Sequence, residues 1–141
     1  MRIISIDPDV RKCGIAMYED GRLVYCSAVG IWHVFDAIAL YGDAVVIIED
    51  GRLIKCATWH AGGRGAALNV GKSQAPVIQI EDYCKEFDKR YVLIKPQGYS
   101  KMFADVELFK KTTGFTGRTN LDARAAAAIG WNFRNIKDFS I

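Results

Sequence analysis

The stretch IISIDPDVRKCGIAMYEDGRLVYC, residues 3–26, contains the features from which the fold can be inferred. It opens as an apolar strand that ends on Asp7, and a second apolar run begins near Gly14. The Asp-Gly pair within EDGR is a strong hairpin signal, which predicts two antiparallel strands over 13–18 and 22–29. A carboxylate at the end of a buried strand is costly to desolvate unless something pairs with it, so Asp7 requires an explanation.

The rest of the chain predicts alternating helices and strands. In order, these are a helix in IWHVFDAIALYG (31–42), a buried strand in AVVIIEDG (44–51), a glycine-rich loop leading into a helix that ends near 88, a strand in YVLIKP (91–96), a short helix ending near Gly114, and a last helix in NLDARAAAAIGWNF (120–133) capped by Thr119 or Asn120. This order implies an α/β fold, a mixed five-stranded sheet with helices on both faces. It resembles the order of elements in a ribonuclease H-like domain. We expect residues 1–141 to form one such domain.

Three carboxylates stand at the ends of predicted elements. Asp7 ends the first strand, Glu49 ends the fourth strand, and Asp122 lies in the first turn of the last helix. If the first and fourth strands are neighbours and the last helix crosses the sheet, these side chains meet at one edge. Clustered carboxylates raise one another's pKa values, and a divalent cation removes the repulsion. Hard oxygen ligands favour Mg²⁺ or Mn²⁺, and two such ions can support phosphodiester hydrolysis.

Each carboxylate also has a purely structural interpretation when it is taken alone. Asp122 would favour a helix N-terminus electrostatically, whereas Asp7, Glu49 and Asp50 would be turn residues at strand ends. The metal-site hypothesis depends on Asp7, Glu49 and Asp122 occupying such positions together.

The distribution of charge is consistent with an anionic partner. The net charge is +3, and segments 51–73 and 108–121 carry basic residues without any acid. Such segments form phosphate-facing surfaces in nucleic-acid-binding proteins, although solvated loops have the same composition. The candidate DNA contacts in them are Arg52, Lys55, Arg64, Lys72, Lys110, Lys111 and Arg118. Trp59 could stack on bases or anchor its loop.

Four parts of the chain resemble RuvC-type Holliday junction resolvases, in the same order. IISIDPDVRKCGIA is similar to their first strand, VVIIEDG to their second acidic strand, GKSQAPVIQIEDYCKEF with YVLIKPQGYSK to their central helix and next strand, and LDARAAAAIGW to their last helix. The resemblance implies that Asp7, Glu49 and Asp122 are catalytic ligands of Mg²⁺ or Mn²⁺. It also implies a homodimer that cuts two strands of a four-way junction. Lys101 resembles a catalytic lysine that contacts phosphate, and the short chain resembles bacteriophage members.

The chain departs from the family pattern near the acids. Ala125 stands where the family often has a fourth acid or a histidine, and Asp9 stands where glycine usually follows Ile-Asp-Pro. Asp9 and Asp50 are therefore candidates to replace the missing metal ligand. Gly14 is expected to let the hairpin pass close to a phosphate.

Other functions stay open from the sequence. A fold that has lost its chemistry would be a branched-DNA-binding module, which Ala125 favours. Nuclease chemistry could instead act on RNA–DNA hybrids or debranch packaged DNA. A sugar-kinase-like ATPase also opens with an acidic hairpin, but the chain lacks room for the second domain that closes over a nucleotide. GAALNVGKS misses the P-loop spacing, because Gly65 stands one residue too early.

The composition is that of an ordinary globular protein. Half of the 141 residues are apolar and a quarter are charged. No apolar run reaches the length of a membrane span, and MRIISIDPD is too short and too early-charged for a signal peptide. The four cysteines lack C-x-x-C spacing, which predicts free thiols in a reducing cytoplasm, that of the host if the protein is viral.

Overall fold

Five strands and five α-helices make up the part of the chain that the computed structural model describes, residues 1–53, 63–98 and 101–139. The strands are β1 (Arg2–Asp7), β2 (Cys13–Glu19), β3 (Arg22–Val29), β4 (Val45–Glu49) and β5 (Tyr91–Ile94). The helices are α1 (Ile31–Leu40), α2 (Gly63–Glu86), α3 (Lys101–Ala104), α4 (Val106–Thr113) and α5 (Leu121–Trp131), and a 3₁₀ turn (Gly51–Leu53) follows β4. Side chains are described except those of 63–73, 101 and 102.

The strands form one mixed sheet in the order β3-β2-β1-β4-β5. The first three strands pair antiparallel, whereas β4 pairs parallel with both β1 and β5. The predicted hairpin turn is present between β2 and β3, where Asp20 and Gly21 have φ angles of 48° and 81°. The predicted five-stranded mixed sheet with helices on both faces is therefore confirmed, and β1 and β4 are neighbours as expected.

Two apolar layers cover the two faces of the sheet, because side chains alternate along each strand. One layer joins Ile4, Ile6 and Ile48 to side chains of α1 and α2, including Val34 and Ile80. The other joins Ile3 and Ile47 to the alanine-rich face of α5, together with Phe103 and Phe109. Successive residues of β1 and β4 thus point to opposite faces of the sheet and to different helices. The position of each strand-end carboxylate in this alternation decides which helices it faces.

Helix α5 packs unusually close to the sheet because small residues line its inner face. A Cβ atom added at Gly130 would lie 2.6 Å from Ser5 Oγ and 2.6 Å from a ring carbon of Tyr18. The Ser5 hydroxyl donates to the Ala126 carbonyl at 2.7 Å, and the Tyr18 hydroxyl donates to the carbonyl of Ala127. These contacts fix the height and rotation of α5 over β1 and β2.

Two element boundaries differ from the sequence-based prediction. Helix α2 begins at Gly63, within the stretch predicted as a loop, because glycine lowers helix stability by only about 1 kcal/mol relative to alanine and packing further along the helix can offset it. The single short helix predicted to end near Gly114 is divided into α3 and α4. The division is at Asp105, whose carboxylate accepts from the Leu108 amide at 2.9 Å and caps α4.

The cysteines in the described ranges are free, as predicted, and they are also buried. They are Cys13, Cys26 and Cys84, and burial raises the pKa values of the last two to about 11, which keeps both thiols protonated. Cys56 lies outside the described residues. Over the same described ranges, no helix has both the length and the apolar character needed to cross a membrane.

Candidate active site

Asp7 and Glu49 lie at the carboxyl ends of two neighbouring parallel strands. Strands β1 and β4 pair with Ile6 opposite Ile48, so the next residue on each strand is one of the two acids. Side chains alternate along a strand, so Asp7 points to the same face of the sheet as Ile3, and Glu49 to the same face as Ile47. Both carboxylates therefore lie on the face that α5 covers. The sheet therefore brings the first two predicted ligands together on one face.

Gly14 allows the third acid to join them. It pairs with Asp7 across the β1–β2 ladder, and a Cβ atom at Gly14 would lie 2.2 Å from the Asp122 carbonyl oxygen. The first turn of α5 thus rests directly on Gly14. Asn120 accepts from the Ala123 amide at 2.8 Å and starts the helix at this point. The expectation that Gly14 accommodates a phosphate is replaced by this helix contact.

The electrostatics of Asp7 reflect the proximity of the other acids. Burial is the largest cause that raises its pKa to about 7, followed by the negative charges of Glu49, Asp122 and Asp9. Burial also raises the pKa of Glu49, which the backbone N–H of Gln97 partly opposes by donating to the carboxylate. Asp7 is thus a carboxyl group whose pKa lies near neutral pH.

The three acids lie close enough to affect one another's charge, but their carboxylates do not converge on a single point. Within residues 1–53, 63–98 and 101–139, no three His, Cys, Asp or Glu side chains converge at metal-binding distance. Asp9 contributes charge near Asp7, while its carboxylate accepts from the Arg11 amide at 3.0 Å and closes the local turn.

A cavity of about 220 Å³ opens beside Asp7 and Glu49. One wall is Pro96, Gln97 and Gly98, which follow β5, and the other is formed by Ala125, Ala128, Ile129 and Asn132 of α5 and its C-cap. Ala125, where the family pattern often has a fourth acid, therefore lies beside the acids and leaves space there.

Asp50 points away from the other acids, because it follows Glu49 by one residue and the side-chain period of a strand is two. Its amide still bonds to the Ile94 carbonyl at 2.8 Å, which continues the ladder. The buried carboxylate accepts from Arg52 Nε at 2.9 Å and Nη2 at 2.8 Å. Arg52 Nη2 also donates to Glu81 of α2 at 2.9 Å. The structure thus engages Asp50 and Arg52 in an ion-pair network on the α2 face, away from Asp7 and Glu49. The predicted role of Arg52 in DNA binding stays a prediction.

We expect Arg52→Met to reduce the free energy of unfolding by about 3 kcal/mol, because it leaves the Asp50 carboxylate, 2% exposed, buried without its cation. Lys85→Met is the matched control. Lys85 is 59% exposed in its pair with Glu81, so its loss should change stability by less than about 0.5 kcal/mol. Urea unfolding measures both. Unchanged stability together with weakened DNA binding in Arg52→Met would instead assign Arg52 to DNA.

The other predicted DNA contacts are distributed over several elements. Lys111 and Arg118 are exposed and Lys110 is partly buried, near the end of α4 and in the loop after it. Lys101 begins α3, and Arg64 and Lys72 lie in α2, but none of these three side chains is among those described. Lys55 and Trp59 lie outside the described residues. Their proposed roles stay predictions.

Two residues that line this site, and one that positions α5, were not predicted from the sequence. Gln97 and Asn132 line the cavity, and a loop position or a helix end offers no periodic signal that would single them out. Arg124 is buried, and its guanidinium donates to the Phe103 carbonyl at 2.8 Å and to Thr119 Oγ1 at 2.9 Å. It ties α5 to α3, and a charged residue inside an alanine run was the available signal.

Comparison with solved structures places this arrangement among known folds. RuvC of T. thermophilus in complex with a Holliday junction substrate superposes with a TM-score of 0.60 and 14% identity, covering 97% of this chain and 96% of that chain. A second Thermus thermophilus RuvC structure gives a TM-score of 0.57 and 14% identity, covering 92% of each chain. The chain has a RuvC-like fold. No protein-family model and no curated protein matches the sequence.

Proposed function

We propose that this protein is a metal-dependent endonuclease that cuts branched DNA, four-way junctions in particular. The observation that carries the proposal is the electrostatic cluster of Asp7, Glu49 and Asp122 at one edge of a RuvC-like sheet. A cluster of carboxylates repels the phosphates of DNA unless cations lie between them. We therefore infer that the cluster binds cations at a centre that cleaves phosphodiester bonds.

The donor chemistry of the site fits Mg²⁺ or Mn²⁺, because all three side chains offer hard carboxylate oxygens. We propose that Asp7, Glu49 and Asp122, which lie within electrostatic range of one another, would hold the two ions. Such ions, when bound, activate water and stabilise the leaving oxygen in phosphodiester hydrolysis. Asp50 is not part of this proposal, because Arg52 already neutralises it.

The chain's own residues orient these ligands and bind the substrate. Gly14 sets the distance between β2 and the first turn of α5, and Gln97 holds the Glu49 carboxylate by a backbone hydrogen bond. We propose that cations of the two basic segments, together with Lys101, contact the DNA phosphates on either side of the cut. These are Lys55, Arg64, Lys72, Lys101, Lys110, Lys111 and Arg118.

A homodimer is the assembly that this function calls for. A four-way junction offers two equivalent strands, and two copies related by a twofold axis would present one acid cluster to each. We therefore propose paired cuts, one by each subunit, that leave nicks at symmetric positions.

The test is a cleavage assay on synthetic four-way junctions with end labels on each strand in turn. We expect paired, symmetric nicks in Mg²⁺ or Mn²⁺ and none in EDTA. Linear duplexes of the same sequence serve as the control and should stay intact. If junctions, flaps, forks and RNA–DNA hybrids all remain uncut across several divalent metals, the nuclease proposal is wrong.

A branched-DNA-binding module without catalysis is the second candidate, and Ala125 is the observation that favours it. A side chain that cannot bind metal stands beside Asp7 and Glu49 in the cavity wall. This candidate requires junction binding that divalent metal does not affect. Calorimetric titration with Mn²⁺ separates the two, because the nuclease should release or absorb heat that Asp7→Asn abolishes, whereas a binding module should give none.

A further inference from the structure

The cavity beside the acids extends beyond Asp7 and Glu49 along helix α5. From Asp7 and Glu49 it continues along α5, past Ala125 and Ala128, to Asn132 at the C-cap. These three α5 positions are spaced by three and four residues, so they share one face of the helix. The two alanines have short side chains along that face, and Asn132 is the polar residue that lines the cavity beyond them.

The walls of this extension differ in charge from the acid end. Among the residues that the structure describes, those that line it beyond the two acids, such as Gln97, Ala128 and Asn132, are neutral. A phosphate would call for cations, whereas neutral walls with carboxamide groups suit an uncharged polar ring. The volume of about 220 Å³ lies below the roughly 300–1,000 Å³ of drug-sized sites, which leaves room for one ring system.

We propose that this cavity receives a single unstacked nucleobase adjacent to the cut phosphate, and that the Asn132 carboxamide hydrogen-bonds its edge. The inference rests on the proposed nuclease function, because the acid cluster defines where the cut phosphate lies. A carboxamide both donates and accepts, so it distinguishes bases by the pattern on their edges. Asn132 thereby gives the enzyme a sequence preference at one position of the junction.

The first test measures base capture without cleavage. Four-way junctions carrying 2-aminopurine at each crossover nucleotide in turn are bound to Asp7→Asn protein, since this base brightens when it unstacks. We expect a severalfold rise at one position. Ala128→Leu in the same background should reduce that rise at least fivefold while junction affinity stays within twofold. Ala39→Leu, at an exposed alanine of α1, is the matched control and should leave the rise unchanged.

The second test measures sequence preference in the wild-type background. Relative cleavage rates are determined on a panel of junctions that vary the base pairs at the crossover. Asn132→Ala should reduce the ratio between the best and worst junction by about tenfold, whereas Asn135→Ala, an exposed carboxamide outside the cavity, should not change it.

The outcomes separate this inference from the nuclease proposal. If the protein cuts junctions but no 2-aminopurine position brightens, or Ala128→Leu brightens like its parent, the base pocket is overturned and the nuclease stands. If the wild type binds junctions without cutting them, the nuclease proposal fails and the fluorescence measurement alone decides the pocket. If Asn132→Ala keeps the wild-type ratio between the cleavage rates on the best and worst junctions, Asn132 is not the specificity residue. If the protein does not bind junctions at all, both proposals are overturned.

Discussion

Asp7→Asn is expected to lower junction cleavage by 10³-fold or more while the protein stays folded. The substitution keeps the size of the side chain but removes the charge at the centre of the acid cluster, where Glu49 and Asp122 both act on it. A loss of about 4 kcal/mol of transition-state stabilisation corresponds to this factor. The measurement is the single-turnover rate on a four-way junction in Mg²⁺ and in Mn²⁺.

The matched control is Asp36→Asn, which removes an exposed carboxylate of α1. This helix packs on the opposite face of the sheet from the acid cluster, so its cleavage rate should stay within twofold of wild type. Wild-type cleavage by Asp7→Asn would show that this carboxylate takes no part in the chemistry.

The same substitution has a pH-dependent effect on stability. The pKa of Asp7 is about 7 in the folded state against 3.8 as its ordinary value, so the folded protein holds a proton that the unfolded chain loses. The contribution of Asp7 to stability should therefore fall as pH rises from about 4 to about 7 and change little above that. A shift of about 3 units is worth up to about 4 kcal/mol.

Asp7→Asn removes this dependence. In EDTA we expect the variant to be more stable than wild type by about 2–4 kcal/mol at pH 8 and nearly equal to it at pH 4.5. Urea unfolding at the two pH values gives the difference. An advantage of equal size at both pH values would contradict a raised pKa at Asp7.

Gly14→Ala is expected to lower cleavage by about 100-fold and to reduce the free energy of unfolding by about 2 kcal/mol. The new Cβ would lie 2.2 Å from the Asp122 carbonyl oxygen, so the first turn of α5 must move away from β2. A displacement of about 1 Å at a reacting centre costs about this factor in rate, and overpacking costs about 1–3 kcal/mol.

Gly30→Ala is the matched control for this steric effect. A Cβ at Gly30 meets nothing within 4 Å, and the residue has a φ of −67°, which alanine adopts without strain. Its cleavage rate and stability should stay close to wild type. Because Gly14 acts through Asp122, Mn²⁺ affinity measured by calorimetry should also fall in Gly14→Ala. Unchanged metal affinity and cleavage would mean that α5 need not contact Gly14 closely.

Much of the fold could be predicted because its signals are local. The Asp20-Gly21 turn, the apolar runs of β1 and β4 and the Asn120 cap each depend on a few adjacent residues. The two boundaries that were predicted wrongly depend on other forces. Helix α2 extends through glycines that propensity disfavours, and Asp105 caps a helix in a stretch predicted as continuous.

The candidate site was predicted in part. The alternation of side chains along a strand already excluded a shared face for Glu49 and Asp50, so the assignment of both to one metal site could have been rejected from the sequence. The partner of Arg52 could not be foreseen, because Glu81 is 29 residues away and meets it only when α2 packs on the sheet.

The sequence by itself determined that strands end on Asp7 and Glu49 and that Asp122 lies in the first turn of a helix, because hydrophobic periodicity and capping are properties of neighbouring residues. Only the tertiary structure decided that α5 rests on Gly14, that Arg124 ties α5 to α3, and that a cavity extends from the acids to Asn132. Those contacts join residues far apart in the chain, so they exist only once the sheet and helices have packed.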